Sequence, residues 1–269
     1  MSDRTKQIGF SSQRIRIDWM DYAARLAQEA SSISELKAAL FAHLGLDLAG
    51  DVKGKRSSRE KALTVLMRSW ITPPPDLEAL RDDCLVLVGD IPDSMSRVAI
   101  HWAMIGAAYP FWLAVAARVG RLLRLQQSFT ASQVRRRLSE TYGDRELVFR
   151  ASRTVLRSYV DWGVLMGGDS KGSYGAAPPI TVEDPRAVAS LVEAILRAAP
   201  GSGTRAQELL GHPALFPFAL GRDAARGIVA VSKRLTVSEM VTGKLIMLAA
   251  DAFPSAGAGA RNAFLQSRA

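Results

Sequence analysis

Residues 98–117 form an unbroken run without Asp, Glu, Lys or Arg, closed by Arg97 and Arg118. A charge-free run of about 20 residues either spans a bilayer or is the buried heart of a helical fold. Pro110 lies in its middle and has no backbone N–H to give a helix. The pyrrolidine ring also pushes the preceding residue, Tyr109, out of the helical region. His101 lies inside the run, and Gly and Ala dilute its hydrophobicity. The run therefore predicts two shorter buried helices that meet at Tyr109 and Pro110, and no membrane span.

The rest of the chain supplies partners for such a core, since 48% of its 269 residues are hydrophobic. Apolar periodicity and capping residues predict helices over 18–30, 34–44, from Ser57 or Ser58 to Trp70, over 77–88, and from Asp93 or Ser94 on to 125. Pro73, Pro74 and Pro75 end the third of these. Residues 1–16 carry Arg4, Lys6, Arg14 and Arg16 and read as a polar, basic arm. Beyond 184 a helix is expected over 185–198 and a short one over 204–210. Short strands are expected at 216–218, 234–237 and 244–247, the last two as a hairpin. The predicted fold class is mainly α. An N-terminal helical bundle occupies 1–128, a central winged helix-turn-helix with a small β wing 129–183, a smaller C-terminal α+β region 184–254, and a flexible tail 255–269.

The central module follows from its punctuation. Thr130 and Gln133 form a T-x-x-Q capping box, so a helix starts at Ala131 and runs through Val134 and Leu138. Tyr142 and Gly143 make a turn, and Asp144 is the expected N-cap of a second helix that stops at Gly163. Leu165 and Met166 then lead into a Gly-rich stretch, 167–175, and on to Ile180, Thr181 and Val182. Strand, glycine tip and strand read as a wing, with Lys171 at its tip. The stretch is no nucleotide cradle, because it has neither GK[ST] nor G-x-G-x-x-G and follows a helix instead of opening one.

On a wheel of about 100° per residue, the second helix gathers Val148, Phe149, Ala151, Val155, Leu156, Tyr159 and Val160 on one side, with Ser152 as the only polar intruder. The other side holds Arg150, Arg153, Thr154, Arg157 and Ser158, with no carboxylate. A solvated face normally mixes signs, whereas three like charges within two turns repel unless an anion lies opposite. Arg also suits bidentate contact with guanine edges and phosphates. The chain has 35 Lys and Arg against 26 Asp and Glu, a net +9. Residues 118–157 hold ten Arg and no Lys against Glu140, Asp144 and Glu146, a local +7. The expected contacts with double-stranded DNA are Arg150, Arg153, Thr154 and Arg157 in the groove, with Arg135, Arg136, Arg137, Arg145 and Lys171 toward the backbone. Lys53, Lys55 and Arg56, beside Arg59 and Lys61, are a possible secondary nucleic-acid contact, although Asp51 and Glu60 dilute them.

No catalytic constellation is visible, so a non-enzymatic protein without cofactor is expected. His43, His101 and His212 are the only histidines and share no metal spacing. His43 reads as a helix-end cap, His101 as a satisfied core histidine, and His212 as part of a turn. Cys84 stands alone in an apolar run, which excludes an intrachain disulfide and predicts a buried thiol in a cytoplasmic protein.

The order of features from Lys55 to Val182 resembles the BrxA-like accessory proteins of BREX phage-defence systems. The resemblance rests on Lys55, Arg56 and Ser57 opening a helix, on the apolar helix that ends in Ala108, Tyr109 and Pro110, and on the pattern R-x-x-R-x-x-L-R-x-x-x-x-W-G-V-L over 150–165. It implies a DNA-binding subunit in antiviral defence, with other defence-system subunits as partners and Arg150, Arg153 and Arg157 as the contacts. Two other readings stay open. The winged helix is an adaptor that docks proteins, or the chain binds RNA.

Overall fold

The computed structural model describes residues 8–10, 13–29, 31–48, 57–168, 170, 172–199, 204–240, 243–249 and 252. The fold is mainly helical, with a few small sheets. Helices α1 (Ile17–Leu26), α2 (Ile33–Asp47) and α3 (Ser58–Leu66) come first, and α3 runs on into a π-helical turn, Met67–Ile71. Ser32 with Glu35 and Ser57 with Glu60 close capping boxes on α2 and α3. His43 is no cap, because α2 continues past it; its ring stacks on Tyr22 at 3.9 Å. Helices α4 (Glu78–Asp90), α5 (Ser94–Ala108) and α6 (Pro110–Leu123) follow. Asp93 caps α5, accepting from Ser96 N at 2.7 Å.

The charge-free run folds as predicted, into α5 and α6 bent by 119° at Tyr109. Among the described residues no single helix is long and apolar enough to cross a membrane. Gly106 makes the bend possible, since a Cβ there would lie 2.7 Å from the Leu113 side chain. Every residue of α5 from Val98 to Ala108 is buried. At the centre, Trp102, Trp112, Trp162 and Tyr159 pack ring against ring, with Trp112 and Tyr159 centroids 4.7 Å apart. Such aromatic groups combine large apolar area with a directional edge-to-face preference.

After α6 come strand β1 (Ser128–Thr130), helices α7 (Ala131–Tyr142) and α8 (Glu146–Asp161), and strands β2 (Leu165–Gly167), β3 (Ser173–Ala176) and β4 (Ile180–Val182). The remaining elements are α9 (Pro185–Ala198), β5 (Thr204–Arg205), α10 (Ala206–Leu210), β6 (Phe218–Leu220), α11 (Arg222–Val231), β7 (Leu235–Met240) and β8 (Gly243–Leu248). Strands β7 and β8 form the expected hairpin, with β5 on the other edge of β8. Helix α9 belongs to the central core: it packs on α5 and α11, and its residues from Ala187 to Leu196 are all buried. One continuous hydrophobic core therefore joins the regions that the sequence suggested as separate.

The structure corrects two further expectations. Residues 180–182 do not return the wing. They pair parallel with β6, and β3 takes the place beside β2. Pro178 and Pro179 explain the break, because neither can donate to a ladder. The N-terminal segment is no solvated arm over its described part, because Ile8, Phe10 and Ile15 are buried. Residues 1–7 and 253–269 lie outside the described residues.

Candidate nucleic-acid interface

Helix α7 starts at the expected capping box, with Gln133 N donating to Thr130 Oγ1 and Thr130 N to Gln133 Oε1. Gly143 follows at φ 77°, a left-handed backbone that frees the chain to turn sharply into α8. Asp144 does not cap α8. It accepts from Arg135 Nη2 at 2.8 Å, and Arg145 occupies the cap position without a capping side chain. Arg145 instead turns back, its Nη2 donating to Tyr142 O at 2.9 Å. A cation on the last carbonyls of α7 is favoured by the helix dipole.

The inner face of α8 lies on α6: Tyr159 Oη donates to Trp112 O at 2.7 Å. A second face is covered by the N-terminal segment, where Ile15 N donates to Ser158 Oγ at 3.0 Å and Trp162 Nε1 to Ile15 O at 3.0 Å. Thr154 and Ser158 are buried in consequence, with hydroxyls bonded to Arg150 O and Thr154 O one turn back. Thr154 is therefore withdrawn from the expected groove contacts. What remains outward is a narrow strip of Glu146, Leu147, Arg150, Arg153, Arg157 and Val160. Arg150 reaches Glu146 at 3.6 Å, Arg153 lies over the Phe149 ring at 5.4 Å, and Arg157 has no ion-pair partner among the described residues.

The Arg triplet of α7 splits by helix geometry, since residues two apart point about 200° from each other. Arg135 faces the start of α8, with Asp144 and, 4.9 Å away, the Phe149 ring. Arg136 is exposed. Arg137 lies on the α6 side, close enough to Arg118 to act on its charge. Its direction on α7 is nearly opposite to that of Arg135.

Strands β2 and β3 run antiparallel, with β1 on the far side of β3, in the order β1-β3-β2. Between this hairpin and the end of α8 lies a cleft of about 520 Å³, lined by Arg14, Arg157, Val160, Asp161, Ser173 and Tyr174 among others. Arg14 enters it from the N-terminal segment and lies 3.6 Å from Asp161, whose carboxyl is pushed above its usual range by burial. Sequence reading missed Arg14 as a member of this face, because only the fold of the first 16 residues brings it there. Lys171 lies outside the described residues, as do Lys53, Lys55 and Arg56.

No group of three or more His, Cys, Asp or Glu among the described residues is placed to hold a metal. His101 is buried against Asp21, and Cys84 is buried, its thiol pushed up to about 12 by loss of solvation. No family model, curated protein or solved structure matches the chain.

Proposed function

We propose that residues 129–183 act as a winged helix-turn-helix that binds double-stranded DNA, without an enzymatic step. One observation carries the reading. Arg150, Arg153 and Arg157 project from one exposed strip of α8, and their sole carboxylate contact among the described residues is the 3.6 Å approach of Glu146. Uncompensated guanidinium groups one turn apart repel each other, and a row of phosphates removes that repulsion. Further support comes from the element order α6, β1, α7, α8, β2, β3 with sheet order β1-β3-β2, which sets a hairpin beside α8. In this reading Arg14 and Arg136 contact the DNA backbone. Arg135 and Arg145 act mainly by holding α7 against α8. On the resemblance to BrxA-like proteins, we propose that the binder serves as an accessory subunit in prokaryotic antiviral defence.

The test is a mobility shift on random duplex DNA at low and moderate salt, with Arg150→Ala/Arg153→Ala/Arg157→Ala as the variant. Wild type should bind with a steep loss of affinity as salt rises, each phosphate contact adding about 0.9 to the log–log slope. The variant, with an unchanged melting curve, should lose most of that affinity. Equal binding by both proteins, or tighter binding of structured RNA than of duplex, counts against the reading. A second reading, partner docking, is favoured by the apolar residues around the strip: Leu147 is 51% exposed, Val160 38% and Met166 53%. It gains if a stoichiometric protein partner is retained and DNA is not.

A further inference from the structure

Ten Arg crowd residues 118–157, and the α8 strip uses three of them. A second group stands behind that strip. Arg118 and Arg121 lie one turn apart on α6, and Arg137 comes to them from α7. Arg118 is half-buried, and its Nη2 donates at 2.8 Å to a neutral hydroxyl, Thr141 Oγ1, where a buried cation ordinarily takes a carboxylate. Loss of solvation, then the charges of Arg121 and Arg137, pull its pKa below the usual arginine value. Glu140 is the acidic group that acts on Arg118, and it forms no ion pair with any of the three. Arg121 and Arg137 have no hydrogen-bond or ion-pair partner among the described residues.

Three cations held together with one unbonded carboxylate nearby, Glu140, keep an excess of positive charge and cost stability through mutual repulsion. That arrangement is complementary to an anion with several acceptor oxygens, and the planar guanidinium fork fits phosphate oxygens in pairs. The direction of the cluster matters as much as its charge. Helix α8 lies with its inner face on α6, so its arginine strip points away from α6, and Arg137 points about 200° from Arg135. The α8 strip and the cluster of Arg118 and Arg121 therefore face different ways.

We propose that Arg118, Arg121 and Arg137 form a second anion site that takes backbone phosphates of a separate DNA segment, so that one chain bridges two duplexes. This rests on the DNA-binding reading above. The contacts are to phosphate alone, and the site is sequence-independent.

The test compares three proteins: wild type, Arg150→Ala/Arg153→Ala/Arg157→Ala, and Arg118→Gln/Arg121→Gln/Arg137→Gln. Each is asked to bind a fluorescent random duplex in solution, and to hold that duplex on beads carrying an unlabelled duplex. Wild type is expected to do both. The Gln variant should keep solution binding through α8 and lose at least about tenfold in bead capture. The Ala variant should keep a weak solution binding with a salt slope of about 2–3, set by three phosphate contacts. Arg121→Glu alone is the folding control. Arg121 is exposed and unpaired among the described residues, so the change leaves the fold intact and should weaken capture. Bead capture by the Gln variant equal to wild type overturns the second site, as does a wild type that binds in solution and never bridges. If the Gln variant loses all solution binding while the Ala variant keeps it, the α8 reading falls and the bridging with it, and only the phosphate site on α6 and α7 stands. If no protein binds duplex, both fall.

Discussion

Asp21 ties α1 to α5, and replacing it by Asn should unfold the chain at a markedly lower temperature. Its Oδ1 accepts from Arg97 Nε at 2.8 Å and from His101 Nε2 at 2.9 Å, and its Oδ2 accepts from Arg97 Nη2 at 2.9 Å. The His101 side chain is fully buried, and the side chains of Asp21 and Arg97 are each 13% exposed. Asp21→Asn keeps the shape, removes the charge, and turns one acceptor into an amino group that meets a guanidinium donor. Breaking a buried pair from one side costs about 3–5 kcal/mol. Arg97 keeps Ile91 O at 2.8 Å and Pro92 O at 2.7 Å, which lowers the expected loss to about 2–4 kcal/mol. For a chain of this size each kcal/mol moves Tm by about 2–4 °C, so the fall should be about 5–15 °C at pH 7. Burial opposes ionisation of Asp21, but the bonds from His101 and Arg97 outweigh it and hold the carboxyl well below the usual range. A depressed carboxylate stabilises fully above its unfolded pKa, near about 4, and loses that contribution as pH falls below it. The gap between wild type and variant should therefore be constant from pH 7 to 5 and narrow by about 1 kcal/mol at pH 3. Thermal unfolding across this range reads both quantities. A Tm change under about 2 °C at pH 7, or a gap that does not narrow in acid, refutes the reasoning.

Three more outcomes follow from the same geometry. Burial, with Arg121 and Arg124 nearby, pushes His212 down to about 4, so the fold holds a neutral ring and loses stability as pH falls from about 6.5 toward 4. His212→Asn should therefore lose about 2 kcal/mol less between pH 7.5 and 4.5, after allowance for solvent at a partly exposed ring, and equal losses in denaturant melts would count against this. Ser158→Ala leaves the buried Ile15 N–H without its acceptor, at about 1–3 kcal/mol, and hydrogen exchange at Ile15 should quicken; unchanged exchange would show that the N-terminal segment is held by packing alone. A Cβ at Gly120 would lie 2.0 Å from Pro213 O, so Gly120→Ala should cost about 3 kcal/mol or more in denaturant unfolding. Gly89→Ala, on α4 with nothing within 4 Å, should gain up to about 1 kcal/mol, and similar effects at the two sites would contradict the packing of α6 on residues 213–216.

What the sequence discloses is what local chemistry decides. Pro110 breaks the apolar run, and the capping boxes at Ser57 and Thr130 start helices where their side chains can satisfy free N–H groups. The buried face of α8 is legible for Val148, Ala151, Val155, Leu156 and Tyr159, because apolar spacing speaks directly to burial, but Val160, expected on that face, is exposed, and Phe149 is half-buried. Nor is it legible for Thr154 and Ser158. A helical hydroxyl can bond the carbonyl one turn back and go into the core, and the partner that covers Ser158 is 143 positions away. Asp144 fails as a cap for a related reason, since it has a cation within reach in Arg135 and takes it. Residues 180–182 have strand character, but nothing local says that their partner is Phe218–Leu220. Helix α11 went unread because its apolar face completes itself against distant elements, chiefly α9.

The ion pairs are unevenly placed along the chain. Arg16, Arg81, Arg97, Arg186, Arg197 and Arg234 each lie within ion-pair distance of an Asp or Glu. Among the described residues of 118–157, Arg135 and Arg150 alone do so. Charges paired within the fold cancel at a distance, so the unpaired arginines of α6, α7 and α8 make this stretch a concentrated source of positive field. Pairing these to local acids would have been simple, since Glu140 and Asp144 lie in the same stretch. Arg135 takes Asp144, which sets α7 against α8, and Glu140 acts on Arg118 without forming an ion pair, so the cluster on α6 is compensated only in part. Helix geometry then sends the surplus in two directions, one strip outward from α8 and one cluster behind it. Solubility alone does not require this sorting or the repulsion it brings; under the proposed function, phosphates on two sides would offset both.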